Sequence, residues 1–213
     1  MNEISKTNLI PRSLFVFAVL YGGMTCIAGI LGAKQVAIGP LAVESGIFPF
    51  LLLVVLSSSV AELHGRDVAN RLVRFGFIPL ITAIALIQIV LALPTDPGMY
   101  EPAKEAFPII LSQGARLMFA GIIAYGVSQF LNVYIFSRLA NMKGALLALR
   151  AAIASALSQI VDTVIFISIA FYGERPIDQL LLGQGSAKVV LSFLLVPFLI
   201  VFFVKLGRRL DRE

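Results

Sequence analysis

Asp162 stands in the run LSQIVDTVIFISIAF, twelve positions past Arg150, the nearest basic residue before it. An ionisable side chain in the middle of an apolar stretch is costly unless it meets a polar ligand, an ion or a partner charge. Asp162 is therefore predicted to face a polar cavity and to bind. Ser155, Gln159, Asp162 and Phe166 recur at i, i+4, i+7 and i+11, which is one face of a helix. Tyr125, Gln129, Asn132 and Phe136 repeat that spacing about 30 residues earlier, so SQFLNVYIF (128–136) and SQIVDTVIF (158–166) align in register. That match is compatible with an inverted repeat, although Asn132 and Asp162 lie at different depths in their segments. Gln129, Asn132 and Gln159 are candidate ligands to a polar substrate. Ser128, Ser155 and Ser158 are read as interhelical hydrogen-bonding residues. Arg116 is read either as a substrate or carboxylate partner or as an interfacial side chain that snorkels. Glu62 either serves the site or pairs with Arg66 at i+4. Tyr125, Phe119 and Phe166 lie close enough to the polar faces to stack a ring.

The elements that must position these residues are membrane helices. Of 213 residues, 59% are hydrophobic and 14% charged, and the mean hydropathy is +0.94. A soluble domain needs a polar skin that these charges cannot supply, and disorder needs the opposite composition. About 20 apolar residues span a bilayer core. Six such runs are present, at 13–33, 46–62, 73–94, 114–138, 146–172 and 187–206. The expected fold is all-α, a polytopic membrane protein with six transmembrane helices, and residues 1–213 are expected to form a single transporter domain. The second run is the shortest. Pro40 and Gly46, with apolar residues at 36–43, mark a broken or re-entrant start to it. Residues 63–72, 94–107, 139–145 and 173–186 are read as polar connections, the second a surface loop because of its prolines and charges.

Charge asymmetry sets orientation. With the N-terminus inside, 12 of the 17 basic residues fall on the cytoplasmic side and five, Lys188 among them, outside. Both ends are therefore expected in the cytoplasm. The same rule accounts for the net charge of +5 without nucleic acid. Lys6 and Arg12 before an apolar run also suit a signal peptide, but Ser13–Ala33 exceeds a typical signal core and is expected to be an uncleaved helix. A single cysteine, Cys26, and a single histidine, His64, argue against a disulfide or a His-based metal centre, and no metal or cofactor is expected. The small-residue stripe through Gly22, Cys26 and Gly29 suits helix packing. With no Trp, an aromatic belt would rest on Tyr.

Read in order, ARLMFAGIIAYGVSQFLNVYIFSRL (115–139) and LRAAIASALSQIVDTVIFISIAFYG (149–173) resemble the vitamin uptake transporter (VUT) family, in particular its queuosine-precursor transporters. FPF (48–50) and AELHG (61–65) fit the family's second-helix region. Glu62, Arg116, Gln129, Arg150, Gln159 and Asp162 match the family's positions. Ser58 stands where an acid is usual, His64 for an aromatic, Asn132 for Asp, and Gly29 for a frequent Asn. The resemblance implies a multi-pass importer in the bacterial inner membrane, not an enzyme. It takes a small-molecule 7-deazaguanine, the nitrile preQ0 or the aminomethyl preQ1, bound between the fourth and fifth spans. A guanine-like edge offers adjacent N–H donors that suit an ionised carboxylate, while amides pair its carbonyl and ring nitrogens and an aromatic face stacks the bicycle. Arg150 is carried over as a binding residue on the same ground. Proton or ion coupling and a homo-oligomer are compatible with it. The rival readings are an importer of another vitamin-like heterocycle, a binding subunit that needs a separate energising module, and a membrane enzyme. The enzyme lacks support because no HExxH or G-x-S-x-G motif and no cluster of catalytic acids is present.

Overall fold

A computed structural model describes residues 10–38, 41–112, 115–140, 146–173 and 177–212. Its elements in chain order are α1 (Arg12–Gly32), β1 (Gln35–Ile38), β2 (Leu41–Glu44), α2 (Ile47–His64), α3 (Arg66–Ala92), α4 (Glu101–Leu111), α5 (Ala115–Leu139), α6 (Leu147–Phe171) and α7 (Ile177–Leu210). All but α4 of the helices are long and apolar enough to cross a membrane. The shortest of the six, α2, has 18 residues, about 27 Å at 1.5 Å per residue, close to a bilayer core. The protein is thus a six-span, all-α membrane protein, as composition and hydropathy require.

Helix α2 is the central post. Leu53, Val54, Val55, Leu56 and Ser57–Ser59 are all buried, and α1, α3, α5, α6 and α7 all touch it. Helix α6 packs most extensively, against α5 on one flank and α7 on the other. Helix α3 lies at the periphery and turns Phe75, Ile78, Ile81, Leu86 and Ile89 outward, where lipid chains replace a protein partner.

Several connections differ from expectation. Residues 36–43 do not form a broken helix start: β1 and β2 pair antiparallel from Gln35↔Glu44 to Ile38↔Leu41. Alternation of Val, Ile and Leu suits a strand, and the short run cannot nucleate a membrane helix. Pro40 lies outside the described residues, as do Lys6, residues 141–145 and Arg175; Gly46 is the N-cap of α2. The polar stretch 63–72 is no loop. Helices α2 and α3 are separated only by Gly65, whose φ of 87° is open to glycine at little cost. Half of the supposed loop at 94–107 is the exposed helix α4, with Pro102 in its first turn, where no N–H is needed, and Lys104 paired to Glu101 at 3.6 Å. Helix α7 begins ten residues before the apolar run at 187–206, so 177–186 is helical as well.

Candidate functional site

The helical spacing of α5 and α6 buries the polar faces. Tyr125, Gln129, Asn132 and Phe136 are buried, as are Ser155, Gln159 and Asp162, with Phe166 half-buried. Asp162 lies about midway along α6, and its two oxygens take different partners. Ser128 Oγ on α5 donates to Oδ1 at 3.2 Å, and Lys188 Nζ on α7 donates to Oδ2 at 3.0 Å. Lys188 is buried too and sits 5.9 Å from the centre of the Phe50 ring. The extension of α7 puts this lysine inside the bundle, not in an outer connection, and its removal from the outer tally sharpens the charge asymmetry.

Asp162 and Lys188 line a cavity of about 630 Å³ together with Glu44, Thr25, Phe50, Tyr125 and Phe166. Its wall also includes Gly32, Ala33, Gly46, Ser112 and Phe171, so it reaches the end of the bundle where the hairpin, α4 and the end of α6 meet. A volume of this size suits a small heterocycle. Glu44, the last residue of β2, accepts a hydrogen bond from Gln184 Nε2 at 3.1 Å. Burial pushes its carboxyl up; the positive charge of Lys188 and the Gln184 amide offset part of this, and Asp162 adds to it.

The other sequence candidates lie elsewhere. Tyr125 joins the cavity wall to a buried chain of hydroxyls and amides. Its O–H lies 3.0 Å from the Tyr21 hydroxyl, which donates to Gln129 Oε1 at 3.3 Å, and Ser57 Oγ reaches the same oxygen at 3.4 Å. Asn132 Nδ2 faces α2, donating to Ser58 Oγ at 3.0 Å and to Val54 O at 3.2 Å. The two positions that depart from a carboxylate, Ser58 and Asn132, therefore face each other as a neutral pair. Among the described residues, Gln129 Nε2, Asn132 Oδ1 and both amide atoms of Gln159 are buried without a hydrogen-bond partner. Buried polar atoms rarely stay so; by position along α5 and α6, Asn132 and Gln159 lie about a turn beyond Ser128 and Asp162, away from the hairpin end.

Glu62 pairs with Arg150 at 3.1 Å rather than with Arg66. Arg150 also lies over the Phe136 ring at 4.4 Å, while Arg66 lies over Tyr134 at 5.0 Å. This ion pair lies toward the end of the bundle opposite the hairpin. Arg116 reaches the C-terminal end of α6, donating from Nη2 to Tyr172 O at 2.7 Å and from Nε to Ile169 O, where a cation suits the unsatisfied carbonyls. Phe119 points outward, 58% exposed. The structure thus brings Asp162, Tyr125 and Phe166 to the cavity and sets the remaining candidates around or away from it.

Glu44 and Lys188 are cavity residues that the sequence reading did not select. A lysine at the edge of a hydropathy window looks like a flank, and a carboxylate next to a turn looks like a loop. The signal for Lys188 lay in the unpaired Asp162, which required a cation from some other segment.

The family model described as "Putative vitamin uptake transporter" matches residues 44–202. A protein of Bacillus subtilis (strain 168) named "Probable queuosine precursor transporter" is 28% identical over 185 residues, covering 84% of this chain and 80% of that relative. No solved structure matches the chain.

Proposed function

The chain belongs to the vitamin uptake transporter family, and from that premise we propose that this transporter imports 7-deazaguanine precursors of queuosine, preQ0 and preQ1, across a bacterial inner membrane. The observation that carries the reading is the largely apolar cavity in which Asp162 stands, with Phe50, Tyr125 and Phe166 also in its wall. Each Asp162 oxygen holds one donor and keeps a second lone pair, so the carboxylate can accept the adjacent N–H groups of a guanine-like edge. Phe50, Phe166 and Tyr125 offer faces for the bicycle. The name carried by the Bacillus relative supports the same substrate class.

In this reading Gln159, Gln129 and Asn132 form the inward leg of the route, where the partnerless amide atoms meet the substrate as it leaves Asp162. The Glu62–Arg150 pair then bars the cytoplasmic side while the cavity is open to the outside. The chain crosses six times as one transporter domain with both ends inside, and any proton or ion coupling acts through the same charged groups. The test is recovery of queuosine in tRNA by cells that lack both their own importer and the pathway to preQ0. Cells expressing this protein recover it when given external preQ0 or preQ1. No recovery, with the protein present in the membrane, moves the assignment to another heterocycle.

A further inference from the structure

Three charged side chains line the cavity among the described residues: Glu44, Asp162 and Lys188. The last two pair at 3.0 Å and cancel. Glu44 is left with a neutral partner, the Gln184 amide at 3.1 Å, and the cavity carries one net negative charge when that carboxyl is ionised. Glu44 and Asp162 share one cation, Lys188, so the half-buried Glu44 carboxylate is only partly compensated. Beside it, Gln184 Oε1 is buried and has no hydrogen-bond partner among the described residues. Glu44 lies in the cavity wall, on an element other than the one that bears Asp162, and Gln184 bonds it from outside that wall.

We propose that Glu44 is a specificity residue that selects a substrate carrying a primary ammonium, with Gln184 holding its carboxylate in place. An ammonium has three donors and no acceptor. It can give one or more of them to the Glu44 carboxylate, forming charge-assisted bonds that a nitrile cannot form. The inference rests on the reading that the cavity binds 7-deazaguanines; within that class it assigns the aminomethyl compound preQ1 as the preferred substrate over the neutral nitrile preQ0. The division of labour follows from position. Asp162, already neutralised by Lys188, takes the edge common to both compounds. Glu44, on the hairpin, reads the substituent by which they differ.

The experiment is calorimetric binding of preQ1 and preQ0 to the purified full-length protein in lipid nanodiscs, for wild type, Glu44→Gln and Glu44→Asp. Wild type binds preQ1 more tightly than preQ0. Glu44→Gln keeps the shape and can still bond Gln184, so it weakens preQ1 by about ten- to a hundredfold and leaves preQ0 within about twofold. Glu44→Asp keeps the charge and part of the preference. Retained preQ0 binding shows that each variant is folded. An equal loss for both compounds, or no change for either, overturns the selective role while leaving the deazaguanine reading in place. Failure of wild type to bind any deazaguanine overturns both.

Discussion

Asp162 and Lys188 face each other at 3.0 Å in surroundings where neither charge could stand alone. Removing one member of a buried pair leaves the other uncompensated, which typically costs about 3–5 kcal/mol. Lys188→Met should therefore lower the thermal unfolding temperature of the purified protein sharply. Adding Asp162→Asn to it should restore most of that stability without restoring substrate binding, because the charge conflict is gone and so is the carboxylate. A double variant as unstable as the single one would show that packing around the lysine stem, not its charge, is what matters. At this scale the sequence was partly legible. Asp162 announced itself because a carboxylate amid Ile and Val has no bland explanation. Its partner did not, because hydropathy averages across a window and Lys188 lies at the edge of one. Glu44 was hidden for a different reason: nothing local distinguishes a carboxylate that folds back over a cavity from one that faces water.

The helices themselves follow the apolar runs closely, and what the runs cannot show is where helices continue past the membrane. The residues at 66–72 and 177–186 are too polar to count as spans, yet they extend α3 and α7 because a helix needs backbone hydrogen bonds, not apolarity. The hairpin before α2 was legible only as an anomaly. Three elements are tied at the end opposite that hairpin. Ser13 at the start of α1 donates its N–H to Asp211 Oδ1 at 2.9 Å and its hydroxyl to Oδ2 at 2.7 Å. His64 Nε2 at the end of α2 lies 2.7 Å from the same hydroxyl. Partial burial pushes the Asp211 carboxyl up, but the two Ser13 bonds and the charge of His64 outweigh it and hold it below its usual value. A carboxyl held low in the folded state adds stability above its unfolded value and loses it as pH falls through the folded one. Asp211→Asn should lower the unfolding temperature by a few degrees at neutral pH, and the difference from wild type should shrink below about pH 4. A difference that stays constant with pH would detach the carboxylate's charge from the joint.

For the whole molecule, orientation decides which side of the membrane the hairpin end of the cavity approaches, and a bundle with both ends inside places it outside. The basic residues favour that arrangement. Reporter fusions within residues 141–145 and after Glu213 should read cytoplasmic and one at Met99 periplasmic; the reverse at any two would invert the bundle and put its hairpin end in the cytoplasm. The six-span architecture was legible from composition and hydropathy alone, since few folds suit such a chain. The cavity was not, because it arises from where helices distant in sequence, α1, α2, α3, α5, α6 and α7, leave space between them. The proposed site holds a deazaguanine on Asp162 in this space. It is tested most directly by uptake of labelled preQ1 and preQ0 in cells lacking their own importer and de novo pathway, comparing wild type with Asp162→Asn at matched membrane levels. Asparagine turns one acceptor oxygen into a donor facing the substrate's donors, so uptake of both compounds should fall by about ten- to a hundredfold. Near-normal uptake by Asp162→Asn would rule out Asp162 as the substrate's anchor.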